Sequence, residues 1–293
     1  MSIKEHALLV SLSVSKPQMT AKDSKATADA EAANNAHGAG QYRKDLYPKA
    51  LVQPILTVES AARAYLESTT YMWDRGAYLL PNTRFMAVAD RMGKFELEFN
   101  QCVTAFLNNW SNVMMQAQQA QGALFDASAY PDLSDLRNEF RFRVIYRPVT
   151  DMGDFRVQMQ EDELNLLRAQ VEQATKESMD NMLREPLQRL REVVAKLHSV
   201  TQKPERKVLN KRNGHEEIRP PIFRDSVVEN VCEELALLQE FAAILPDDIR
   251  SVANEMTDAL VPANVLRDNP EDRKAMGDKT AALLATIDNM LDD

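Results

Sequence analysis

This sequence has few of the residues that cross-link or interrupt a fold. Only two cysteines, Cys102 and Cys232, occur in 293 residues, and they lie far apart. We therefore expect no disulfide framework and no cysteine zinc site, and a reducing compartment fits. Glycine is scarce, with 8 residues, whereas 44% of the chain is hydrophobic and 27% is charged. This composition is globular, and a chain of this length can bury a sizeable core in one or two domains.

Long hydrophobic runs are missing as well. No apolar stretch approaches the roughly 20 residues that a transmembrane helix requires. The first residues lead only into a short apolar stretch that alternates with serines, without the apolar region and the cleavage site of a secretion signal. We therefore expect a soluble protein without membrane association, located in the cytoplasm.

Catalytic motifs are also missing. The sequence has no GxxxxGK[ST] phosphate loop, no GxGxxG and no GxSxG. Asp151 and Asp154 fit a turn with capping aspartates better than a site for a divalent ion. The four histidines share no metal-ligand spacing; they are His6, His37, His198 and His215. We therefore expect no enzyme, no bound metal and no cofactor.

Charge is distributed unevenly along the chain. The formal net charge is −9 at pH 7, which argues against a protein that binds nucleic acid over its whole surface. Residues 225–293 hold 16 acids and 5 bases, a net of −11, whereas the remaining 28 acids and 30 bases give residues 1–224 a net of +2. Local basic patches therefore remain available in the first part. The acidic part is either a solvated helix surface or a surface for a protein partner.

One stretch combines cations with aromatic rings at strand spacing. Residues 137–148 alternate as a β-strand does, with Arg141 and Arg143 on one face. The opposite face carries Phe140, Phe142, Val144 and Tyr146. Two interpretations remain open. The strand is half-buried with solvated arginines, or it presents guanidinium groups to phosphates with rings close enough to stack on bases.

Hydrophobic periodicity predicts the other elements. Alternation over residues 7–15 predicts a strand that pairs with a strand at 139–147. Helical spacing predicts a weakly packed helix at 20–36, and Gly76 and Pro81 are expected to make residues 71–82 irregular. Longer helices are expected at 48–68, 83–121 and 161–200, the last with a kink at Pro186. Three acidic helices are expected at 224–244, 247–260 and 270–291.

Together these elements predict an α+β fold that is predominantly α-helical. We expect long helices to pack with a small antiparallel sheet, whose strands lie near 7–15 and 139–147. We expect residues 1–160 to form an α+β core with the sheet and long helices. Residues 161–293 are expected to form a helical region with the long kinked helix, a basic loop at 202–224 and the acidic C-terminal helices. The two long helices could also form an antiparallel hairpin or a homo-oligomer interface.

Two further segments contain the mixture that single-stranded nucleic acid requires, with cations for its backbone and π-faces for its bases. The first contains Trp73, Arg75 and Tyr78, and its alternative is a structural loop anchored by a buried tryptophan. The second is the basic loop, a loop or mobile hairpin that either clamps the strand or is a solvated charge run. Its candidate residues are Lys203, Arg206, Lys207, Lys211 and Arg212. Within the stretch at 137–148, Arg147 and Tyr146 complete the candidate set.

Several short segments carry a resemblance to a known family. They are YMWDRGAYLLP at 71–81, GALFD at 122–126, YP at 130–131, FRFRVIYRP at 140–148 and DFRV at 154–157. In this order the chain resembles the Drc-like proteins of podoviruses that carry a giant virion RNA polymerase. The resemblance covers residues 1–160 best and the C-terminal half more loosely.

The resemblance implies a single-stranded-DNA-binding cofactor of the phage's own RNA polymerase, with a fold that is not an OB-fold. It also implies binding to locally melted promoters and recruitment of that polymerase for a later class of genes, in the cytoplasm of an infected bacterial host. It supplies no map of site residues, so the candidates above rest on their chemistry.

The leading hypothesis is therefore a non-enzymatic protein that binds single-stranded DNA and acts in phage transcription. Its partners would be single-stranded DNA and the phage RNA polymerase. The alternative is a helical adaptor or assembly protein that binds a protein partner and no nucleic acid, which the net charge of −9 and the long helices favour. Retention on single-stranded-DNA cellulose would separate the two.

Overall fold

The computed structural model describes residues 3–149, 161–204, 206–209, 216–219 and 222–292. Its helices are α1 (Ile3–His6), α2 (Ser24–Asn34), α3 (Lys49–Thr69), α4 (Phe85–Asn108), α5 (Trp110–Gln121), α6 (Leu133–Glu139), α7 (Glu161–Thr201), α8 (Asp225–Glu240), α9 (Asp247–Ala259), α10 (Ala263–Asp268) and α11 (Pro270–Asp292). Its strands are β1 (Ala7–Ser15), β2 (Thr20–Lys22), β3 (Arg43–Asp45), β4 (Tyr71–Asp74), β5 (Ala77–Pro81), β6 (Arg141–Pro148), β7 (Arg206–Leu209) and β8 (Glu216–Arg219).

The predicted fold class is confirmed. Most of the described chain is helical, and a small antiparallel sheet has the strand order β4-β5-β1-β6. The predicted neighbours, β1 and β6, are adjacent in this sheet. Two more pairs, β2 with β3 and β7 with β8, are antiparallel ribbons. Within the described residues, the open four-stranded order differs from the five-stranded barrel of an OB-fold.

The chain forms two compact units, each built from separate stretches of sequence. Unit 1 contains residues 1–9, 69–84 and 147–293, and unit 2 contains residues 10–68 and 85–146. Neither unit coincides with residues 1–160 or 161–293, because the middle of the chain contributes to both. Periodicity locates elements along the chain but does not specify which elements pack together.

Unit 1 has a core that is built around α7. This helix packs against α8, α11 and β4, and its residues Leu190, Val194 and Leu197 are fully buried. They recur at intervals of three and four, which places them on one face of the helix. Pro186 lies inside α7, and the helix continues past it to Thr201.

The C-terminal segment of unit 1 contains four helices among the described residues, not the three that were expected. The additional helix is α10, a short element that starts after Pro262 and precedes Pro270 at the start of α11. A proline has no N–H to donate and suits the first turn of a helix, so each of these two prolines marks a new start. Residues 241–244, predicted to extend α8, form turns instead.

Unit 2 has an aromatic core that is built on α4. The apolar residues at helical spacing along this helix pack inside, since Val88, Met92, Phe95, Phe99 and Val103 are all buried. The prediction of one helix over 83–121 was wrong, because α4 ends at Asn108 and α5 begins at Trp110. The two asparagines at the break compete for backbone hydrogen bonds and so weaken a helix interior.

The N-terminal part of unit 2 differs from the expectation in one respect. The weakly packed helix predicted at 20–36 is α2, which begins later, at Ser24, and has no buried residue. Asp23 caps it by accepting a hydrogen bond from the Ala26 amide at 2.9 Å. Thr20–Lys22 forms strand β2, which pairs with β3.

None of the helices in the described residues is both long enough and apolar enough to cross a bilayer.

Candidate nucleic-acid interface

Strand β6 carries the arginine pair on its exposed face, as the alternation predicted. Arg141 and Arg143 are exposed, whereas Phe142 between them is only 5% exposed. The inward face packs on α4, where the Phe142 ring lies 5.4 Å from the Phe99 ring. This packing holds the strand from behind and leaves both guanidinium groups on the solvent side.

The aromatic side chains of β6 are less available than the sequence suggested. Tyr146 is half-buried and meets the ring of Phe85 edge to face, with 5.1 Å between their centroids. Burial, followed by the influence of Tyr65, raises the pKa of Tyr146 above its usual value. Because residues alternate along a strand, Tyr146 and the two arginines lie on opposite faces. Tyr146 is therefore a packing residue first, and any stack on it would use the exposed part of its ring.

Arg141 borders a cavity of about 430 Å³. Its Nε donates a hydrogen bond to the Asn138 carbonyl oxygen at 2.9 Å, at the end of α6. The lining includes one more cation, Lys16, which forms an ion pair with Glu59. The remaining lining residues are Ser15, Asp135, Asn138 and Glu139. An anion that enters the cavity would therefore meet two cations and two carboxylates.

Arg143 borders a second cavity of about 350 Å³, which residues of both α4 and β6 line. Gly93 and Ala89 of α4 line it, so the helix presents little bulk there. An added Cβ at Gly93 would meet nothing within 4 Å. Tyr146 and Glu96 complete the polar part of the lining. The cavity therefore has room for a flat group next to a guanidinium.

The segment with Trp73, Arg75 and Tyr78 is a β-hairpin, so the prediction of an irregular segment was wrong. Strands β4 and β5 pair antiparallel, with Tyr71 opposite Leu79. Arg75 and Gly76 form the turn, and Gly76 has a φ of 79°, a value that favours glycine. Regular pairing is compatible with this glycine because it occupies the turn itself.

The burial of this hairpin changes the roles of its candidate residues. Trp73 is 8% exposed and belongs to the core of unit 1, so its ring serves packing and offers no open face for a base. This corresponds to the alternative that the sequence left open. Arg75 is exposed at the turn, and Tyr78 is half-buried on β5.

The basic segment contains a backbone hairpin. Strands β7 and β8 pair antiparallel, with Arg206 opposite Arg219 and Lys207 opposite Ile218. Lys203 is exposed between α7 and β7. Lys211 and Arg212, like Asp151 and Asp154, lie outside the described residues.

The candidate residues thus divide between the two units. Arg141, Arg143 and Tyr146 belong to unit 2, whereas Arg147 and the described candidates of the two other segments belong to unit 1. Arg147 is exposed at the end of β6. Sequence reasoning missed Lys16 as a second cation at the Arg141 cavity, because the two residues are far apart in the chain and no local spacing connects them.

Within the part of the chain that the structure describes, no group of three or more histidine, cysteine, aspartate or glutamate side chains is placed to hold a metal ion. No protein-family model, no curated protein and no solved structure matches the chain. The function is therefore inferred from the chemistry of the described surfaces.

Proposed function

We propose that this protein binds single-stranded DNA along the exposed face of β6, with Arg141 and Arg143 contacting neighbouring phosphates. The observation that carries the proposal is this arginine pair, on one face of a strand whose other face is anchored on α4. Residues two apart in a strand are separated by about 6.6 Å. The pair therefore forms a short row of cations that follows an extended phosphate backbone.

Single-stranded DNA fits this surface better than duplex does. Single strands bind to cations that follow the backbone and to flat apolar surfaces that accept bases. Ile145 follows Arg141 and Arg143 on the same face of β6 and is 42% exposed. The cavity beside Arg143 has room for a flat group. A duplex presents only phosphates and sugars to such a narrow site, and the net charge of −9 opposes a broad contact.

The role in transcription follows from the resemblance to the Drc-like phage proteins. In this proposal the protein is a non-enzymatic cofactor that binds melted promoters and recruits the phage RNA polymerase in the infected bacterial host. Residues 225–293, with a net charge of −11, form helices α8 to α11 and supply an acidic surface for the polymerase. The acidic surface would also repel DNA and so confine it to the arginine face.

The test is fluorescence anisotropy with a labelled single-stranded oligonucleotide of about 30 bases, competed with the same sequence as a duplex. We compare the full-length protein with the double variant Arg141→Ala/Arg143→Ala over a range of salt concentrations. Each phosphate contact contributes about 0.7 to the slope of log affinity against log salt. The double variant should bind more weakly, with a slope shallower by about 1.4.

A matched control removes two cations elsewhere in unit 2. Lys25→Ala/Lys49→Ala changes the net charge by the same amount at exposed positions on α2 and α3, and it should leave the salt slope nearly unchanged. If the two double variants behaved alike, the arginine face would not be the site. Absence of binding at low salt would refute DNA binding altogether and leave the helical adaptor.

A further inference from the structure

A third cavity of unit 2 lies next to the proposed phosphate site. Its volume is about 380 Å³, which leaves room for a nucleobase. Its walls include two prolines, two tyrosines and one carboxylate: Pro17, Pro131, Tyr47, Tyr130 and Glu139. Proline and tyrosine rings are flat apolar surfaces of the kind on which bases stack. Gln18 and Ser128 also line the cavity, so its walls combine flat apolar rings with polar groups.

The hydroxyl group of Tyr47 is an unsatisfied polar group at this cavity. Tyr47 is only 4% exposed, and its Oη has no hydrogen-bond partner among the described residues. A buried donor without a partner is costly, and native structures contain few of them. Burial, followed by the negative charge of Glu139, raises the pKa of Tyr47 to about 12. The hydroxyl therefore stays protonated. Its oxygen has almost no accessible surface, so a ligand in the cavity meets the Tyr47 ring and not the hydroxyl.

The second tyrosine forms a fixed wall. Tyr130 Oη donates to the Leu46 carbonyl oxygen at 2.7 Å and accepts from Gln121 Nε2 at 2.8 Å. Its ring meets the Tyr47 ring edge to face, with 5.9 Å between centroids. With its hydroxyl already bonded, Tyr130 contributes shape and apolar surface. Hydrogen bonding to a ligand is left to Glu139.

Glu139 connects this cavity to the arginine site. It lines both this cavity and the one beside Arg141. The connection continues on the other side, since Lys16 lines the Arg141 cavity and the next residue, Pro17, lines this one. The two cavities therefore share Glu139 in their walls. The phosphate of a nucleotide is favoured at the first cavity, which Arg141 and Lys16 line, and the base at the third, whose lining contains no cation.

We propose that this cavity is a nucleobase subsite that selects guanine, with Glu139 accepting hydrogen bonds from the base. A carboxylate only accepts hydrogen bonds. Guanine presents two adjacent donors on its Watson–Crick edge, the N1–H and the N2 amino group. Thymine has one donor between two acceptors, and adenine and cytosine place an acceptor nitrogen next to their amino group. The inference rests on the proposed DNA binding and adds base selection to it.

The experiment measures anisotropy with full-length protein and two labelled oligonucleotides of about 30 bases. One contains only thymine, and the other has guanines at several spaced positions. We expect guanine to strengthen binding about tenfold, as hydrogen bonds to a charged acceptor would. Inosine in place of guanine, which lacks the N2 amino group, should lose most of this gain.

Variants locate the effect within the molecule. Glu139→Gln should abolish the preference for guanine while changing affinity for the all-thymine strand less than about twofold. The matched control is Asp135→Asn, because Asp135 lines only the Arg141 cavity of the two; it should keep the preference. Tyr47→Phe should keep the guanine gain and should not lower the melting temperature, since it removes an unpaired hydroxyl that is buried away from the cavity.

The outcomes separate the two proposals. Binding of both oligonucleotides with equal affinity would overturn guanine selection and leave DNA binding intact. A preference that persists in Glu139→Gln would also overturn the subsite. Failure to bind either oligonucleotide at low salt would overturn the proposed function itself.

Discussion

An ion pair buried inside unit 1 provides the sharpest test of the packing. Glu234 of α8 is only 6% exposed, and its carboxylate accepts hydrogen bonds from Tyr71 Oη at 3.0 Å and from Arg189 Nε at 3.1 Å. Arg189 Nη2 lies 2.9 Å from the same carboxylate. The guanidinium also lies over the Tyr71 ring, 5.1 Å from its centroid. These contacts connect α7, α8 and β4.

We predict that Arg189→Met lowers the free energy of unfolding by about 3–5 kcal/mol, since it leaves a buried carboxylate without its partner. Burial raises the pKa of Glu234 above its usual value of 4.5, and Arg189 is the main group that opposes this rise. A raised folded-state pKa means that stability is greatest at acidic pH and falls as the pH rises through that pKa. Without Arg189 the pKa rises further, so the variant's deficit should grow as the pH rises above 4.5.

The measurement is thermal and urea unfolding of the full-length protein, followed by circular dichroism at several pH values. For a unit of 150–250 residues, 1 kcal/mol corresponds to about 2–4 °C, so the melting temperature should fall by about 6–20 °C. Replacing the acid as well, in Arg189→Met/Glu234→Gln, should recover most of the loss because no buried charge remains.

The control is Arg191→Met on the same helix. Its ion-pair partner is Asp288, and both side chains are nearly half exposed. Exposed pairs contribute little to stability, so this variant should unfold like the parent protein. If Arg189→Met and Arg191→Met had equal stability, or if the Arg189→Met deficit did not depend on pH, the account of a buried and coupled pair would be refuted.

Four further predictions concern other positions. Gly93→Ala should raise the free energy of unfolding by up to about 1 kcal/mol, because alanine favours a helix and an added Cβ there meets nothing. Gly277→Val should lower it by about 1–3 kcal/mol through overpacking, since a Cβ would lie 3.1 Å from Thr201 Oγ1. Urea unfolding measures both effects. By the same assay, Phe99→Ala should lower the free energy of unfolding by about 3–5 kcal/mol, because the Phe99 ring is fully buried. At alkaline pH, stability should fall as the pH rises from the usual tyrosine pKa of 10.0 towards about 12, the folded-state pKa of Tyr47; Tyr47→Phe should make this fall shallower.

Clear outcomes would contradict each of these. If Gly93→Ala and Gly277→Val changed the free energy of unfolding equally, Gly277 would not lie at a close approach between helices. A loss below about 1 kcal/mol for Phe99→Ala would be too small for an aromatic core residue. An alkaline stability curve that Tyr47→Phe leaves unchanged would show that this tyrosine ionises as readily in the folded state as in the unfolded chain.

Local patterns in the sequence were sufficient for most of the long elements. The helix expected at 48–68 is α3, Lys49–Thr69, and the strand expected at 7–15 is β1, Ala7–Ser15. Both follow from the spacing of apolar side chains, which has a period of 3.6 in a helix and 2 in a strand. The exposure of Arg141 and Arg143 follows from the same alternation, so this part of the candidate site was predictable.

The errors occurred where a local signal has two structural outcomes. Gly76 was expected to make its segment irregular, but it forms the turn between β4 and β5. The alternation of buried Tyr71 and Trp73 with exposed Met72 and Asp74 was the available signal for this hairpin. At Asn109, the apolar spacing continued across the break between α4 and α5, so periodicity alone did not reveal it.

The sequence by itself determined the kind of elements, their approximate limits and the exposed arginine face of β6, because each depends on neighbours within a few residues. Only the tertiary structure decided which elements form each unit and which side chains share a cavity. Tyr47, Tyr130 and Glu139 meet at one cavity although they come from separate parts of the chain. Arg189 and Glu234 pair across 45 positions. Such neighbours arise when helices and strands bury their apolar faces together, which no short-range spacing encodes.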